Sequence, residues 1–337
     1  MFRIFPMEVF MQRRTIDARG STISFLDAGQ GPLILLCHGF PETAHAWRHQ
    51  IAALSAAGFR AIAPDLRGYG DSLQPEAIDA YTAYHAVGDL VGLLDALDVR
   101  QAAIVGGDWG ATVAWQAAMM RPDRFRAVVA LGVPLMESAP APPTRLFPCL
   151  EHALFYTLYF QEPGVAEQEL ERDTRSSLRK IYFSASGDAG PRRPGDGTPN
   201  PFGMVPRSHG LLGALPDPDM FPGWLTEADL DIYTAAFERS GFRGGLNYYR
   251  NLDRNWELQR SLHGMQVTVP ALFAVGERDP GLQIPGMDAI IGAMPRLAPG
   301  LRDSIVVPGA GHWLQQERPD AVNRALLGFL EALPHGA

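Results

Sequence analysis

Apolar residues in this chain alternate between short continuous runs and stripes at helical spacing. Two segments near the start, RRTIDARG and STISFLDAG, read as strands joined by a hairpin turn at Arg19-Gly20. The continuous run Leu33 to Cys37 suits a central strand covered on both faces. A helical stretch follows near Ala46 to Ala57, then a short strand in FRAIAPD. Within residues 82–97, Val87, Leu90, Val91, Leu94 and Leu97 recur at helical spacing. QAAIVGG, the helix beyond Trp109 and FRAVVALGVP extend the alternation. Strands separated by helices predict an α/β, doubly wound, mostly parallel sheet.

Past Pro134 this rhythm stops. Residues 135–265 predict helices without clear strand alternation, and they include a Pro/Gly-rich stretch within 186–222 that is too long for an ordinary connection. That stretch is read either as part of the entrance or as a surface loop. Strands resume in VPALFAVGERD and RDSIVVPGAGHW, and the helix RPDAVNRALLGFLEAL closes the chain. The expected organisation is a core of residues 1–134 and 266–337, interrupted by a mainly helical lid, residues 135–265. An insertion of this kind would lie over the carboxyl edge of the sheet, where open α/β sheets bind ligands.

Composition narrows the function classes. Of 337 residues, 46% are hydrophobic and 20% charged, an ordinary balance for a globular core. A net charge of −8 without a basic block argues against nucleic acid. No run approaches the roughly 18 apolar residues of a membrane span, and the first ten residues read as a loose extension rather than a signal peptide. Cys37, inside an apolar run, reads as a buried free thiol, so a reducing cytoplasm is expected. Metal-ligand spacings, a dinucleotide fingerprint and a P-loop are all missing from the sequence, and no cofactor is expected.

Four pieces of sequence fall at the ends of predicted strands: HGFP at 38–41, GGDWG at 106–110, GERD at 276–279 and GAGHW at 309–313. The order nucleophile, acid, histidine is that of a triad on a strand-to-helix elbow, with Asp108 where serine is usual. Each piece alone is weak, since an aspartate between glycines is commonly a turn residue. Their order and their places at strand ends carry the case. HGFPETAHAWRHQ, DLRGYGDS, GGDWGA, LYFQEPGVAE, SGFRGGLNYYRN, GERDP and GAGHWLQQERP together make residues 15–333 resemble the α/β-hydrolase family, and within it the soluble epoxide hydrolases.

An aspartate at the elbow restricts the reaction. With a pKa near 3.9 it is ionised at neutral pH without help from a base. Attack on a carbonyl would give an anhydride, whereas displacement at a saturated carbon gives an ordinary ester. Asp108 therefore argues against peptidase or lipase chemistry. His312, oriented by Asp279, would then activate water to clear the ester, with the backbone N–H groups of Phe40 and Trp109 as the oxyanion hole. The resemblance also implies two lid tyrosines over an epoxide oxygen, Tyr156 and Tyr249; Tyr159 and Tyr248 are assigned to packing. Phe40, Trp109 and Trp313 are expected to line an apolar pocket. DLRGYGDS is read as a structural loop, and His45 and Trp47 as packing or capping residues.

Haloalkane dehalogenases share the Asp-Trp elbow but commonly carry an asparagine after His-Gly, where this chain has Phe40. Fluoroacetate dehalogenases carry HGFP but place arginine after the nucleophile, where this chain has Trp109. The expected partner is a small hydrophobic epoxide and the expected state a monomer or homodimer. A haloalkane dehalogenase and a non-catalytic receptor on the same fold are the alternatives.

Overall fold

The computed structural model describes residues 11–192, 197–218 and 221–333. The expected N-terminal extension lies outside the described residues. Strands β1 (Gln12–Ala18) and β2 (Ser21–Ala28) form an antiparallel hairpin. Its turn places Arg19 at φ 59° and Gly20 at φ 88°. Next come β3 (Leu33–Cys37), α1 (Arg48–Ala56), β4 (Arg60–Pro64), α2 (Ala83–Ala96), β5 (Ala102–Gly107), α3 (Trp109–Met120) and β6 (Phe125–Leu131).

The chain then leaves the main sheet. It forms α4 (Tyr156–Tyr159), α5 (Val165–Leu170), α6 (Thr174–Ala185), α7 (Glu227–Ser240), α8 (Arg243–Arg250) and α9 (Leu252–Gln259), with a short antiparallel ladder of β7 (Ala153–Phe155) and β8 (Met204–Pro206). It re-enters the sheet with β9 (Ala271–Gly276), α10 (Met287–Leu297), β10 (Leu301–Val307), α11 (Leu314–Glu317) and α12 (Pro319–Glu331). The main sheet has eight strands in the order β1-β2-β4-β3-β5-β6-β9-β10. From β4 to β10 all neighbours are parallel, and β2 meets β1 and β4 antiparallel. The mostly parallel α/β architecture expected from the apolar runs is the one observed.

β3 shows why those runs are continuous. Leu33, Leu35 and Cys37 pack into the cluster shared with α2 and α3, while Ile34 and Leu36 pack into the cluster shared with α1 and α12. Both faces are covered, so no polar alternation survives. Cys37 is free and buried, and desolvation pushes its thiol up to about 12, which leaves it chemically quiet. Arg67 of the DLRGYGDS loop grips Asp89 with two hydrogen bonds of 2.6 Å, consistent with a structural loop. Among the described residues, no helix is long and apolar enough to cross a membrane.

The insertion is fastened to the sheet by polar contacts. Asp229, in the first turn of α7, accepts from His45 Nε2 at 2.7 Å and lies 3.1 Å from Arg48 Nε. Burial opposes its charge, but hydrogen bonds from Thr226 and His45 and the charge of Arg48 prevail and hold its pKa down to about 2. An acid held below its unfolded pKa stabilises the fold above that unfolded value, near 4. The contribution fades as pH falls and is gone below about 2. Asp229→Asn is therefore expected to cost on the order of 2 kcal/mol at pH 7 and about half of that at pH 3. Urea unfolding of both proteins at the two pH values checks this.

Candidate active site

Asp108 stands between the last residue of β5 and the first of α3, at φ 52° and ψ −123°. A non-glycine residue in that region costs about 1–3 kcal/mol and is held there by its surroundings. The surroundings here are backbone. A Cβ on Gly106 would lie 2.0 Å from Gly110 O, and one on Gly110 would lie 2.0 Å from Cys37 O. The two glycines let β5, α3 and β3 close to a separation that forces the turn. Gly39 has the same requirement from the opposite side, since its Cβ would come within 2.3 Å of Asp108 Oδ1. The sequence offered Gly39 only as part of a strand exit; its role appears once β3 and β5 are neighbours.

The carboxylate of Asp108 is held at both oxygens. Phe40 donates its backbone N–H to Oδ1 at 2.7 Å, and Oδ2 lies 3.3 Å from His312 Nε2. Trp109 is the first residue of α3, so its N–H is among those a helix leaves without an internal acceptor. On the far side of the imidazole, His312 Nδ1 lies 2.9 Å from Asp279 Oδ2. Asp279 is 1% exposed, and its Oδ1 accepts the Gly281 N–H at 2.7 Å. The structure thus brings together Asp108, His312 and Asp279 from three strand ends, in one hydrogen-bonded line.

Electrostatics follows from that line. Burial disfavours a charged imidazole, but the carboxylates of Asp279 and Asp108 outweigh it and hold the His312 pKa well above the usual histidine range. In the resting site Asp108 and His312 form an ion pair. Glu42, which follows HGFP directly, is buried beside them. Desolvation, reinforced by the charge of Asp108, pushes its pKa up to about 7. Its Oε1 accepts from Gln315 Nε2 at 3.0 Å and Gln316 Nε2 at 2.7 Å.

Tyr156 opens α4 and Tyr249 lies on α8, yet their ring centroids are 5.8 Å apart and edge to face. Tyr249 also packs edge-on against Trp109 at 5.1 Å and Phe40 at 5.6 Å. Burial raises both phenol pKa values, and the charge of Asp108 adds to each, so both hydroxyls stay protonated. Their sequence neighbours point elsewhere. Tyr159 donates to Glu169 Oε2 at 2.7 Å and Tyr248 to Arg67 O at 3.2 Å.

The chain over residues 32–180 matches a family model described as alpha/beta hydrolase fold. It is 44% identical to epoxide hydrolase A of Mycobacterium tuberculosis over 323 residues, 95% of this chain and 97% of that one. The chain belongs to the epoxide hydrolases of the α/β-hydrolase fold. This epoxide hydrolase is also 41% identical to epoxide hydrolase 2 of Siraitia grosvenorii, over 95% of its own length and 98% of the relative's. Among solved structures it superimposes on an epoxide hydrolase from an endophytic Streptomyces with a TM-score of 0.90 at 43% identity, covering 95% of each chain. Epoxide hydrolase A from Mycobacterium thermoresistibile gives 0.89 at 43%, covering 96% of this chain and 99% of that one.

Three residues of this epoxide hydrolase depart from the sequence expectation or add to it. Trp313 is fully buried rather than placed on a pocket wall. Its indole N–H donates to Tyr182 O at 2.9 Å and its ring stands edge-on to His312 at 4.8 Å, so it backs the imidazole. Phe202, from the Pro/Gly-rich stretch, was not singled out; its ring lies 4.6 Å from His312 and 5.5 Å from Tyr156. Glu317 was also passed over. It is buried and accepts the backbone N–H groups of Gly187 and Gly311 at 2.8 Å each and of Trp313 at 3.0 Å. His312 N–H itself donates to Ala185 O at 2.9 Å, so the histidine loop is built partly on the end of α6. Among the described residues, no group of three or more His, Cys, Asp or Glu side chains is arranged to hold a metal ion.

Proposed function

We propose that this protein converts hydrophobic epoxides and water to vicinal diols through a covalent ester on Asp108. The single observation that carries this is the line Asp279–His312–Asp108 facing two protonated phenols, Tyr156 and Tyr249. Asp108 Oδ1 accepts from Phe40 N–H at 2.7 Å, while Oδ2 has only the longer 3.3 Å contact with His312 Nε2 and is the freer oxygen to attack a ring carbon. The C–O bond breaks as the C–Oδ2 bond forms, and the epoxide oxygen leaves with a proton from a phenol. The phenolate is reprotonated through solvent, and the proton that His312 gives up once Asp108 is esterified makes up the balance.

Ester formation removes the negative charge of Asp108. One of the two carboxylates that kept His312 protonated is then neutral, so the imidazole loses its proton more readily and can serve as base. The ester's own formation thereby prepares the group that destroys it. His312 takes a proton from water, and the hydroxide adds to the Asp108 carboxyl carbon. Phe40 and Trp109 N–H groups receive the oxyanion; one donor of this type is worth about 3–4 kcal/mol in hydrolases. Collapse expels the diol oxygen, which takes the proton from His312, and the carboxylic acid left on Asp108 passes its own proton to His312, which restores the starting pair.

Residues 135–265 act in this scheme as a lid that supplies the phenols, with Phe40 and Trp109 lining the apolar site. The buried thiol of Cys37 fits a reducing cytoplasm. Phe40 offers the site no side-chain donor for a halide, which favours epoxides over haloalkanes.

The test is single-turnover ester formation from styrene oxide, beside a 1-bromoalkane. Tyr156→Phe or Tyr249→Phe alone is expected to slow ester formation from the epoxide by about 10–100-fold and leave residual turnover, while the double variant loses it. Unimpaired ester formation in the double variant would remove the phenols from the mechanism. Ester formation from the bromoalkane alone would move the protein to the dehalogenases, and no ester from either compound or from a wider epoxide panel would favour a receptor.

A further inference from the structure

We propose that Gln161 is a positioning residue that sets the separation of the two phenol donors, an inference that rests on the donor role given to Tyr156 and Tyr249 above. The tyrosines reach the site on separate elements. α4 has only four residues, too short for its own hydrogen bonds to fix its direction. Something else must hold Tyr156 against Tyr249.

Two side-chain connections do so. Arg250, next to Tyr249, forms a fork with Glu167, at 2.7 Å and 2.9 Å, and donates from Nε to Phe160 O at 3.0 Å. Its side chain is 3% exposed, and this pair fastens α8 to residues 160–167 as a block. Gln161 makes the finer connection. Its Nε2 donates to Thr157 O at 2.8 Å and to Tyr249 O at 3.0 Å. One amide nitrogen therefore joins the residue after Tyr156 to Tyr249 itself. Both acceptors are carbonyls, which fixes the amide orientation and uses both of its N–H groups.

Both phenols must converge on a single epoxide oxygen, and a displacement of about 1 Å in a catalytic group can cost about 10²-fold. Ester hydrolysis needs His312, Asp279 and the backbone donors, none of which Gln161 touches. A positioning role thus predicts an effect on the first step alone. Gln161 is half-buried, so its replacement leaves the core intact.

The experiment measures ester formation and ester hydrolysis separately, by rapid quench with styrene oxide, together with the thermal midpoint. Gln161→Met keeps the length without donors, and Gln161→Glu turns a donor toward acceptor into acceptor against acceptor. Both variants are expected to slow ester formation by about tenfold, with hydrolysis within about twofold of the parent and an unchanged midpoint. In the Tyr156→Phe background, where a single phenol remains and no separation has to be set, Gln161→Met is expected to cause no further slowing. If the tyrosine variants slow ester formation and the Gln161 variants do not, the positioning role alone falls. Equal slowing of both steps, a lowered midpoint, or additional slowing in the Tyr156→Phe background also overturns it. If the tyrosine variants leave ester formation unchanged, the donor reading fails first and this inference fails with it.

Discussion

Asp108→Ala is expected to abolish diol formation, lowering kcat/KM by at least about 10⁴-fold, as loss of a triad nucleophile does elsewhere. The substitution removes the carboxylate that Phe40 N–H and His312 Nε2 address together. No mass gain should appear on the protein after mixing with styrene oxide. The elbow glycines and the neighbouring strands are untouched, and alanine, like aspartate, is held at φ 52° by the surrounding backbone, so the variant should remain folded. Circular dichroism and the thermal midpoint separate loss of chemistry from loss of fold. A variant that still turns over at more than a hundredth of the parent rate would mean that water attacks the epoxide directly.

His312→Gln is expected to divide the reaction in two. The glutamine cannot accept a proton from water, so ester hydrolysis should slow by on the order of 10³-fold. Ester formation should persist, since Asp108 is ionised without help from the imidazole. Intact-protein mass spectrometry should then show a gain of one whole epoxide, absent when Asp108 is also replaced. The pH dependence of the parent enzyme belongs to the same argument. In the ester, only Asp279 remains to hold a proton on His312, so the hydrolysis rate should fall as the pH is lowered through the pKa of His312 in that intermediate. In the resting enzyme the ion pair with Asp108 keeps that pKa higher. A hydrolysis rate independent of pH would contradict the assignment of His312 as base.

Much of the core could be read from the chain because its strands are buried on both faces. All residues of β3 and β5 are buried, and each run ends abruptly at a glycine- or histidine-bearing turn. Asp108 and Asp279 were legible for the same reason, since they follow the wholly buried β5 and β9; His312 follows β10, of which only Val307 is buried, and was legible from the order of the motifs. What escaped was whatever depends on contacts between distant segments. Phe202 sits in a stretch whose prolines and glycines announce turns, and nothing local says that one ring will meet His312. Glu42 accepts from Gln315 and Gln316, which lie 273 and 274 positions away in the chain. β7 and β8 have three residues each, too few to establish a period of two. A tryptophan after His312 fits either a pocket wall or a buried support, and the acceptor of its indole N–H, Tyr182 O, lies on α6, far away in the sequence.

The carboxylate of Glu317 has a consequence for anyone who would recombine this enzyme with its relatives. It gathers N–H groups from the histidine loop and from Gly187, just past α6, while Ala185 O takes the His312 N–H. Donor and recipient scaffolds therefore cannot be cut cleanly at the boundary between sheet and insertion. A chimera that imports a foreign insertion replaces part of the mounting of His312, and a transplant chosen only for the shape of its pocket would arrive with the histidine out of line. Segments exchanged to alter specificity should begin after Gly187 or carry their matching histidine loop with them.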